Sequence, residues 1–213
     1  EISAKGESAL PRFADKFNMI NFFTAENGML QSCSEPSPGC WISVVAPSSH
    51  EIKELIEVYG LDSGFVKSSL DEEESSRIER EDDQTLIIID TPVSIVDEDN
   101  TQSFYTHPMG IILTEDYVFT ITLKETHLLT DATSGMIRNL RPAFKTRFVL
   151  QLLLRIATQF LSHLKQIDKI SSAAEQQLHD AMKNELLMQL LALEKSLVYF
   201  STSLKANEAT IEK

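Results

Sequence analysis

The 213-residue chain is acidic, and its negative charge is concentrated in one region. Apolar residues make up 42% of the chain, which is enough to bury a core and excludes an intrinsically disordered protein. Residues 19–142 carry 22 acidic and 7 basic side chains, whereas residues 143–213 carry 7 acidic and 9 basic ones. An acidic region of this kind repels nucleic-acid phosphates and attracts cations, so we expect no nucleic-acid partner.

The chain opens with a segment to which we assign no function. Residues 1–18 balance three acidic with three basic side chains and precede the first strand-like run, so we interpret them as a leader, an extension or a cloning remnant. Residues 19–24, MINFFT, predict a strand. The Asn-Gly pair at residues 27–28 predicts a turn, and Met29–Cys33 predicts a second short strand.

The next segment reads as a strand followed by a capped helix. Residues 40–45, CWISVV, are rich in β-formers and predict the strand. Ser48 or Ser49 is placed to cap a helix that carries Glu51 in its first turn. Gly60 is a natural residue to end that helix, because glycine adopts the left-handed backbone that often follows a helix.

After Gly60 the pattern predicts a short helix and then several strands. Residues 63–70, SGFVKSSL, predict the helix, and residues 127–139 predict another one further along. Between them lie β-rich runs separated by turn residues such as 97–100 and 115–116: RIERE, TLIIID, VSIV, SFYTH, GIILT and YVFTITL. The predicted fold class is therefore α/β, with a mixed β-sheet flanked by helices.

The last third of the chain predicts two long helices, because residues 143–213 contain neither proline nor glycine. The first helix carries an apolar stripe at helical spacing: Val149, Leu153, Ile156, Phe160, Leu164, Ile167, Ala174 and Leu178. The second carries a seven-residue repeat: Leu186, Leu190, Leu193, Leu197, Phe200, Leu204, Asn207 and Ile211.

These stripes predict a long antiparallel helical hairpin that turns near residues 179–184. At about 1.5 Å per residue, each helix would be roughly 45–55 Å long and would project from the rest of the protein. We expect most of both stripes to form the core of the hairpin. If the seam also meets further helices or other subunits, polar Asn207 would fix the register. We accordingly divide the chain into residues 1–18, an α/β head over residues 19–142, and the two helices over residues 143–213.

The strongest candidate for cation contact is the run DEEESSRIEREDD at residues 71–83, with eight acids and two bases. Mg²⁺ and Ca²⁺ prefer carboxylate oxygens. The candidate ligands are four consecutive acids: Asp71, Glu72, Glu73 and Glu74. They lack the alternate spacing and turn glycine of an EF-hand loop. The competing interpretation is a solvated turn whose charge is compensated by Arg77 and Arg80.

Signatures of enzymes are scarce, and we expect no enzymatic activity. The sequence has no glycine-rich phosphate loop and no Gly-x-Ser-x-Gly elbow, and its five histidines are scattered. His163 and His179 are expected on a solvated face or at a helix end. Cys33 and Cys40 match neither a zinc site nor a disulfide framework, and Cys40 is expected to be buried and reduced, which suits a cytosolic protein.

Four sequence blocks, taken in order, resemble the cytoplasmic part of CorA-type divalent-cation (magnesium/cobalt) transporters. The first runs from CWISVV through DEEESSRIEREDD to TLIIIDTP and is similar to that family's Trp-Ile strand, helix ending in Gly-Leu, and acidic turn before Arg-Ile-Glu. The second, GIILTEDYVFTI, resembles the strand pair that follows. KTRFVLQLLLRIATQFLSHLKQIDK and ELLMQLLALEKSLVYFSTSLKANEATIEK resemble the two antiparallel helices after it. The resemblance covers residues 19–213.

The resemblance implies a homopentameric inner-membrane channel in which an α/β cytoplasmic domain leads into a helical funnel. In that family a stalk helix, two membrane spans and a Gly-Met-Asn signature follow, and they would come after Lys213. The chain is therefore expected at the cytoplasmic face of the membrane, and unable to transport ions by itself. Without the stalk, we expect it to be monomeric or weakly associated.

Two pairs of neighbouring residues depart from the family pattern. Where the family's regulatory Mg²⁺ sites use neighbouring acids in the short helix after Gly60, this chain has Lys67 and Ser68. A lysine there would repel the ion, so this sensor is expected to be absent or moved to the acids at residues 71–74. An Arg-Pro pair expected before Arg77 reads Ser75-Ser76.

The leading hypothesis is the regulatory and assembly domain of a Mg²⁺ channel, with Co²⁺ and Ni²⁺ as further candidate ions. Mg²⁺ would be a regulatory or transported ion, and no cofactor is expected to be needed for folding. One alternative is a zinc-transporting member of the same superfamily. The other is a soluble adaptor whose helical hairpin binds a partner helix.

Overall fold

A computed structural model describes residues 20–26, 29–96, 101–180 and 184–213. The segment 1–18 and the predicted turns at residues 27–28 and 97–100 lie outside these ranges. So do residues 181–183, where the hairpin turn is predicted. In the described ranges, strands form one sheet that lies between two layers of helices.

The described part of the chain contains seven strands and five helices. The strands are β1 (Ile20–Glu26), β2 (Met29–Cys33), β3 (Trp41–Val45), β4 (Arg77–Glu81), β5 (Gln84–Val96), β6 (Gln102–Leu113) and β7 (Val118–Thr122). The helices are α1 (Ser49–Glu57), α2 (Ser63–Ser69), α3 (His127–Thr133), α4 (Lys145–Asp180) and α5 (Asn184–Ile211). The sheet order is β2-β1-β3-β7-β6-β5-β4. Only the β3–β7 pair is parallel among these strands, so the predicted mixed sheet is confirmed.

Each face of the sheet has its own apolar core. Leu55 of α1 and Phe65 of α2 pack with Ile42 and Ile88 on one face. On the other face, α3, α4 and α5 cover a cluster that includes Trp41, whose indole nitrogen donates a hydrogen bond to the Thr120 hydroxyl at 2.9 Å. A buried indole needs such a partner, so this bond fixes the orientation of the largest core side chain.

Local capping signals set the limits of the shorter helices. Ser48 is the N-cap of α1 and forms a full capping box with Glu51, as the sequence predicts. Gly60 follows the helix with a left-handed φ of 67°. The helix predicted over residues 127–139 is shorter, because α3 ends at Thr133 and Gly135 takes a φ of 78°.

Two predicted strand boundaries are wrong. The runs TLIIID and VSIV form the single strand β5 through Pro92, and SFYTH and GIILT form the single strand β6 through Pro108. Strand β4 pairs with β5 only as far as Ile88, and β7 pairs with β6 only from Met109. Each proline therefore lies where its strand has lost one neighbouring strand, a position at which a missing N–H is tolerated.

The two long helices are antiparallel, and both pack on the sheet. The first half of α4 lies beside the end of α5, and its second half lies beside the start of α5. Phe148 and Ile156 of α4 and Phe200 of α5 belong to the same core cluster as Trp41 and Ile111 of the sheet. The helices thus share a core with the sheet here, rather than burying their stripes mainly against each other.

The apolar stripe of α4 is buried or half-buried from Val149 to Ala174, as predicted, and the side chain of Leu178 lies outside the described residues. The predicted seam of α5 is buried only in part. Leu197 and Ile211 are 44% and 53% exposed. Four of the six buried residues of α5 are polar: Leu193, Ser196, Phe200, Ser203, Asn207 and Thr210. The physical reason is that this face meets strand backbone, as where the Ser196 hydroxyl accepts a hydrogen bond from the Phe104 N–H at 2.9 Å.

Two side-chain amides of α5 form hydrogen bonds with strand backbone in the way that a neighbouring strand would. Gln189 accepts from the N–H of Gln102 at 3.1 Å and donates to its carbonyl at 2.8 Å. Asn207 makes the same pair of bonds with Asp90, each at 2.9 Å. Buried backbone groups at a strand edge need partners, so these contacts fix the register of α5 on the sheet.

Candidate functional site

The four candidate metal ligands form an acidic turn, residues 71–74, between α2 and β4. Asp71 organises the turn, because its carboxylate accepts a hydrogen bond from the N–H of Glu73 at 3.0 Å. Three of the four side chains are exposed, and Glu74 is half-buried. The turn therefore presents carboxylates to solvent at one end of α2.

Two of these carboxylates form ion pairs with basic side chains of other segments. Glu72 pairs with Lys124, which follows β7, at 2.9 Å. Glu74 pairs with Arg77 at the start of β4, at 2.5 Å. Both pairs remain in contact with solvent, the Glu72 pair more than the Glu74 pair, so each contributes at most about 1 kcal/mol to stability. They hold Glu72 towards Lys124 and Glu74 towards Arg77, so these two carboxylates are bound to different segments of the chain.

The acidic turn alone does not form a coordination cage. Among the residues that the structure describes, no three or more His, Cys, Asp or Glu side chains come together as a metal-binding group. Arg77, which the sequence analysis paired with the turn, does compensate part of its charge. Metal contact at Asp71, Glu72, Glu73 or Glu74 stays a prediction that needs ligands from elsewhere.

Lys67 and Ser68, the first of the two pairs that depart from the family pattern, lie in the last turn of α2. Lys67 is exposed there, where a cation is favoured by the partial negative charge of the helix C-terminus. The Ser68 hydroxyl accepts a hydrogen bond from the Arg77 guanidinium at 3.2 Å. Arg77 thus joins the end of α2 to the acidic turn through Ser68 and Glu74.

His107, on β6, is a buried histidine close enough to Glu72 of the acidic turn to feel its charge. The sequence did not point to this histidine. It is 4% exposed, and within the described part of the chain neither ring nitrogen has a hydrogen-bond partner. Burial lowers its pKa to about 4, Lys124 adds to that lowering, and Glu72 opposes it. The imidazole is therefore neutral at neutral pH. Its burial could not be predicted from the sequence, because the exposure of a histidine in a strand depends on which elements pack over that face of the sheet.

His163 is also buried, contrary to the prediction of a solvated position. Its ring packs 5.4 Å from that of Phe104 and 6.3 Å from that of Phe200, measured between ring centroids. Burial lowers the pKa of this imidazole. The side chain of His179 lies outside the described residues. Cys40 is buried with a free thiol, as predicted, and burial raises its pKa.

A protein-family model matches most of the acidic sheet domain and both long helices. Residues 38–213 match the family model described as CorA-like Mg²⁺ transporter protein. The chain belongs to this CorA-like family. The match extends from the loop before β3 to the last described residue and so takes in the acidic turn and both long helices.

The proteins that the chain resembles include a transport protein and two solved domains. The cobalt/magnesium transport protein CorA of Methanocaldococcus jannaschii is 27% identical over 176 residues, covering 78% of this chain and 52% of that protein. The soluble domain of CorA from the same organism has a TM-score of 0.74 at 23% identity, covering 90% of this chain and 76% of that one. The ZntB cytoplasmic domain from Vibrio parahaemolyticus has a TM-score of 0.65 at 10% identity, covering 92% and 79%.

The chain spans about half the length of the CorA-like transport protein that it matches. Of the helices in the described ranges, none offers a stretch of 18 residues with the hydropathy and low charge of a membrane span. The solved domains establish the fold alone. At 10–23% identity a shared architecture does not identify the transported ion.

Proposed function

We propose that the chain is the cytoplasmic regulatory and assembly part of a CorA-type channel for Mg²⁺, with Co²⁺ and Ni²⁺ as further candidate ions. The observation that carries the proposal is the family match over residues 38–213, which includes both core-forming layers of helices. The related transport protein is named for cobalt and magnesium. In the proposal, the full-length protein is a homopentamer at the cytoplasmic face of the inner membrane, and its spans lie outside this chain.

The proposed mechanism is electrostatic gating. Residues 19–142 carry 22 acids against 7 bases, so subunits that face each other through this region repel. Divalent cations held between the acidic faces offset the repulsion and keep the pore closed, and loss of those cations lets the subunits move apart. The exposed carboxylates of Asp71, Glu72 and Glu73 are the candidate contacts. Mg²⁺ acts here as a regulatory or transported ion, and the chain itself has no enzymatic role.

The test is ion flux through the full-length protein. The protein is reconstituted in liposomes loaded with a fluorescent Mg²⁺ indicator, and Mg²⁺ is added outside. We expect Mg²⁺ entry that stops when the internal side already holds millimolar Mg²⁺. Protein-free liposomes are the control. Absence of Mg²⁺ flux in a correctly folded pentamer would rule the proposal out.

A zinc transporter is the second candidate, because the fold also matches the ZntB cytoplasmic domain over 92% of the chain. The same liposomes with a Zn²⁺ indicator distinguish the two, since a zinc transporter admits Zn²⁺ in preference to Mg²⁺. The adaptor alternative is tested separately, by reading the native gene beyond the codon for Lys213. Two apolar spans with a Gly-Met-Asn between them support the channel, and a nearby stop codon supports the adaptor.

A further inference from the structure

Asn207 joins three segments of the chain through one buried amide. It is 6% exposed, and its Oδ1 accepts hydrogen bonds from the Asp90 N–H at 2.9 Å and from the Ser76 hydroxyl at 2.8 Å. Its Nδ2 donates to the Asp90 carbonyl at 2.9 Å. The amide therefore holds the end of α5 both to β5 and to the residue that precedes β4.

Ser76 is in turn tied to the acidic turn through its neighbour Arg77. The Arg77 guanidinium contacts the Glu74 carboxylate at 2.5 Å and donates to the Ser68 hydroxyl at 3.2 Å. A continuous set of contacts thus runs from the end of α2, through the acidic turn and Ser76, to Asn207.

Beyond Leu204, which packs against the core, the last turns of α5 are held largely by polar contacts. In these turns Asn207 is buried and bonded to the sheet, whereas Ile211 is exposed. Release of these turns exposes little apolar surface, so it is the kind of local opening that occurs well below the free energy of global unfolding. A small change in the polar contacts is enough to shift such an equilibrium.

We propose that Asn207 is a positioning residue that couples the acidic turn to the docking of the last turns of α5. A change that displaces the turn weakens the Ser76–Asn207 bond, and the end of α5 then opens more often. The proposal adds a regulatory route to the proposed function, but its test uses the chain alone. A failure of ion transport leaves that readout unaffected.

The experiment is amide hydrogen exchange by NMR on the 213-residue chain. The Asp90 N–H reports the coupling, because Asn207 is its acceptor. Glu74→Gln disturbs the turn by removing the ion pair with Arg77, and we expect it to speed exchange at Asp90 by about two- to fivefold. In a Ser76→Ala background, the same substitution should have no further effect. Ser76→Thr keeps the hydroxyl and should restore the response.

The Phe104 N–H is the matched control, because it is held by Ser196 of the same helix and has no contact with the turn. Its exchange should not change in any variant. The proposal is overturned if Glu74→Gln leaves Asp90 exchange unchanged. It is equally overturned if the acceleration persists without the Ser76 hydroxyl, or if Phe104 accelerates as much as Asp90. That last result would indicate general destabilisation.

Discussion

Gly110 of β6 lies so close to Ser69 of α2 that a Cβ atom at position 110 would come within 1.9 Å of the Ser69 Oγ and 2.4 Å of its Cβ. Ser69 cannot swing away freely, because it is buried and its hydroxyl donates to the Phe65 carbonyl at 2.7 Å. This contact sets the distance between the short helix and the sheet, and with it the position of the acidic turn that follows.

We therefore expect Gly110→Ala to destabilise the fold by about 1–3 kcal/mol, the usual cost of overpacking a core. The measurement is urea unfolding followed by circular dichroism. The double variant Gly110→Ala, Ser69→Gly should recover part of the loss, because it removes both of the closest atoms. An unchanged midpoint in Gly110→Ala, or no recovery in the double variant, would show that the contact does not limit the packing.

His107 makes the stability of the fold depend on pH. Its folded pKa of about 4 lies below the ordinary value of 6.5, so the folded state binds fewer protons between these values than the unfolded state does. The contribution of neutral His107 to the free energy of unfolding is complete above pH 6.5 and is lost as the pH falls towards 4. Its full size is about 3 kcal/mol. The lowered pKa of His163 acts in the same direction.

The test is urea unfolding at several pH values between 7 and 4. We expect His107→Leu to reduce the loss of stability on acidification. His50→Gln, on the exposed surface of α1, is the matched control for loss of a histidine. The same pH dependence in His107→Leu as in the native chain would contradict the assignment.

Features of this fold that depend on local sequence could be predicted. Ser48 and Glu51 lie three residues apart and complete each other's hydrogen bonds, so the start of α1 needs no tertiary information. The absence of proline and glycine after residue 142 similarly predicts long helices. The mixed sheet follows from alternating strand and helix patterns.

Features that depend on a neighbouring element could not be predicted. Pro92 is tolerated in β5 because β4 stops at Ile88, a fact of pairing rather than of local sequence. Leu197 fits the heptad pattern but is exposed. The neighbouring Ser196 faces the sheet instead, where its hydroxyl accepts a hydrogen bond from the Phe104 N–H. At the candidate site, the four acids are adjacent in sequence, yet their directions depend on partners such as Lys124.

Asp90 is expected to lower stability at neutral pH. Burial raises the pKa of its carboxyl group, and a hydrogen bond from Ser203 only partly opposes this. The folded state therefore keeps a proton that the unfolded state loses first, and stability falls as the pH rises from about 4. Asp90→Asn should match or exceed the native stability at pH 7, while making little difference near pH 3. A clear loss of stability at pH 7, measured by thermal unfolding, would be evidence against this.

The isolated chain is expected to gain no Mg²⁺-specific stability. Glu72 pairs with Lys124 and Glu74 with Arg77, and the carboxylates of Asp71 and Glu73 are exposed, so the turn does not surround an ion from several sides. Mg²⁺ gives up its hydration water reluctantly and needs such an arrangement to bind tightly. The melting temperature in millimolar MgCl₂ should therefore equal that in NaCl of the same ionic strength. The control is a variant in which Asp71 becomes Asn and Glu72, Glu73 and Glu74 become Gln. If Mg²⁺ raised the melting temperature of the native chain but not of this variant, the turn would be a complete site within one subunit, and regulation would need no second subunit to supply ligands.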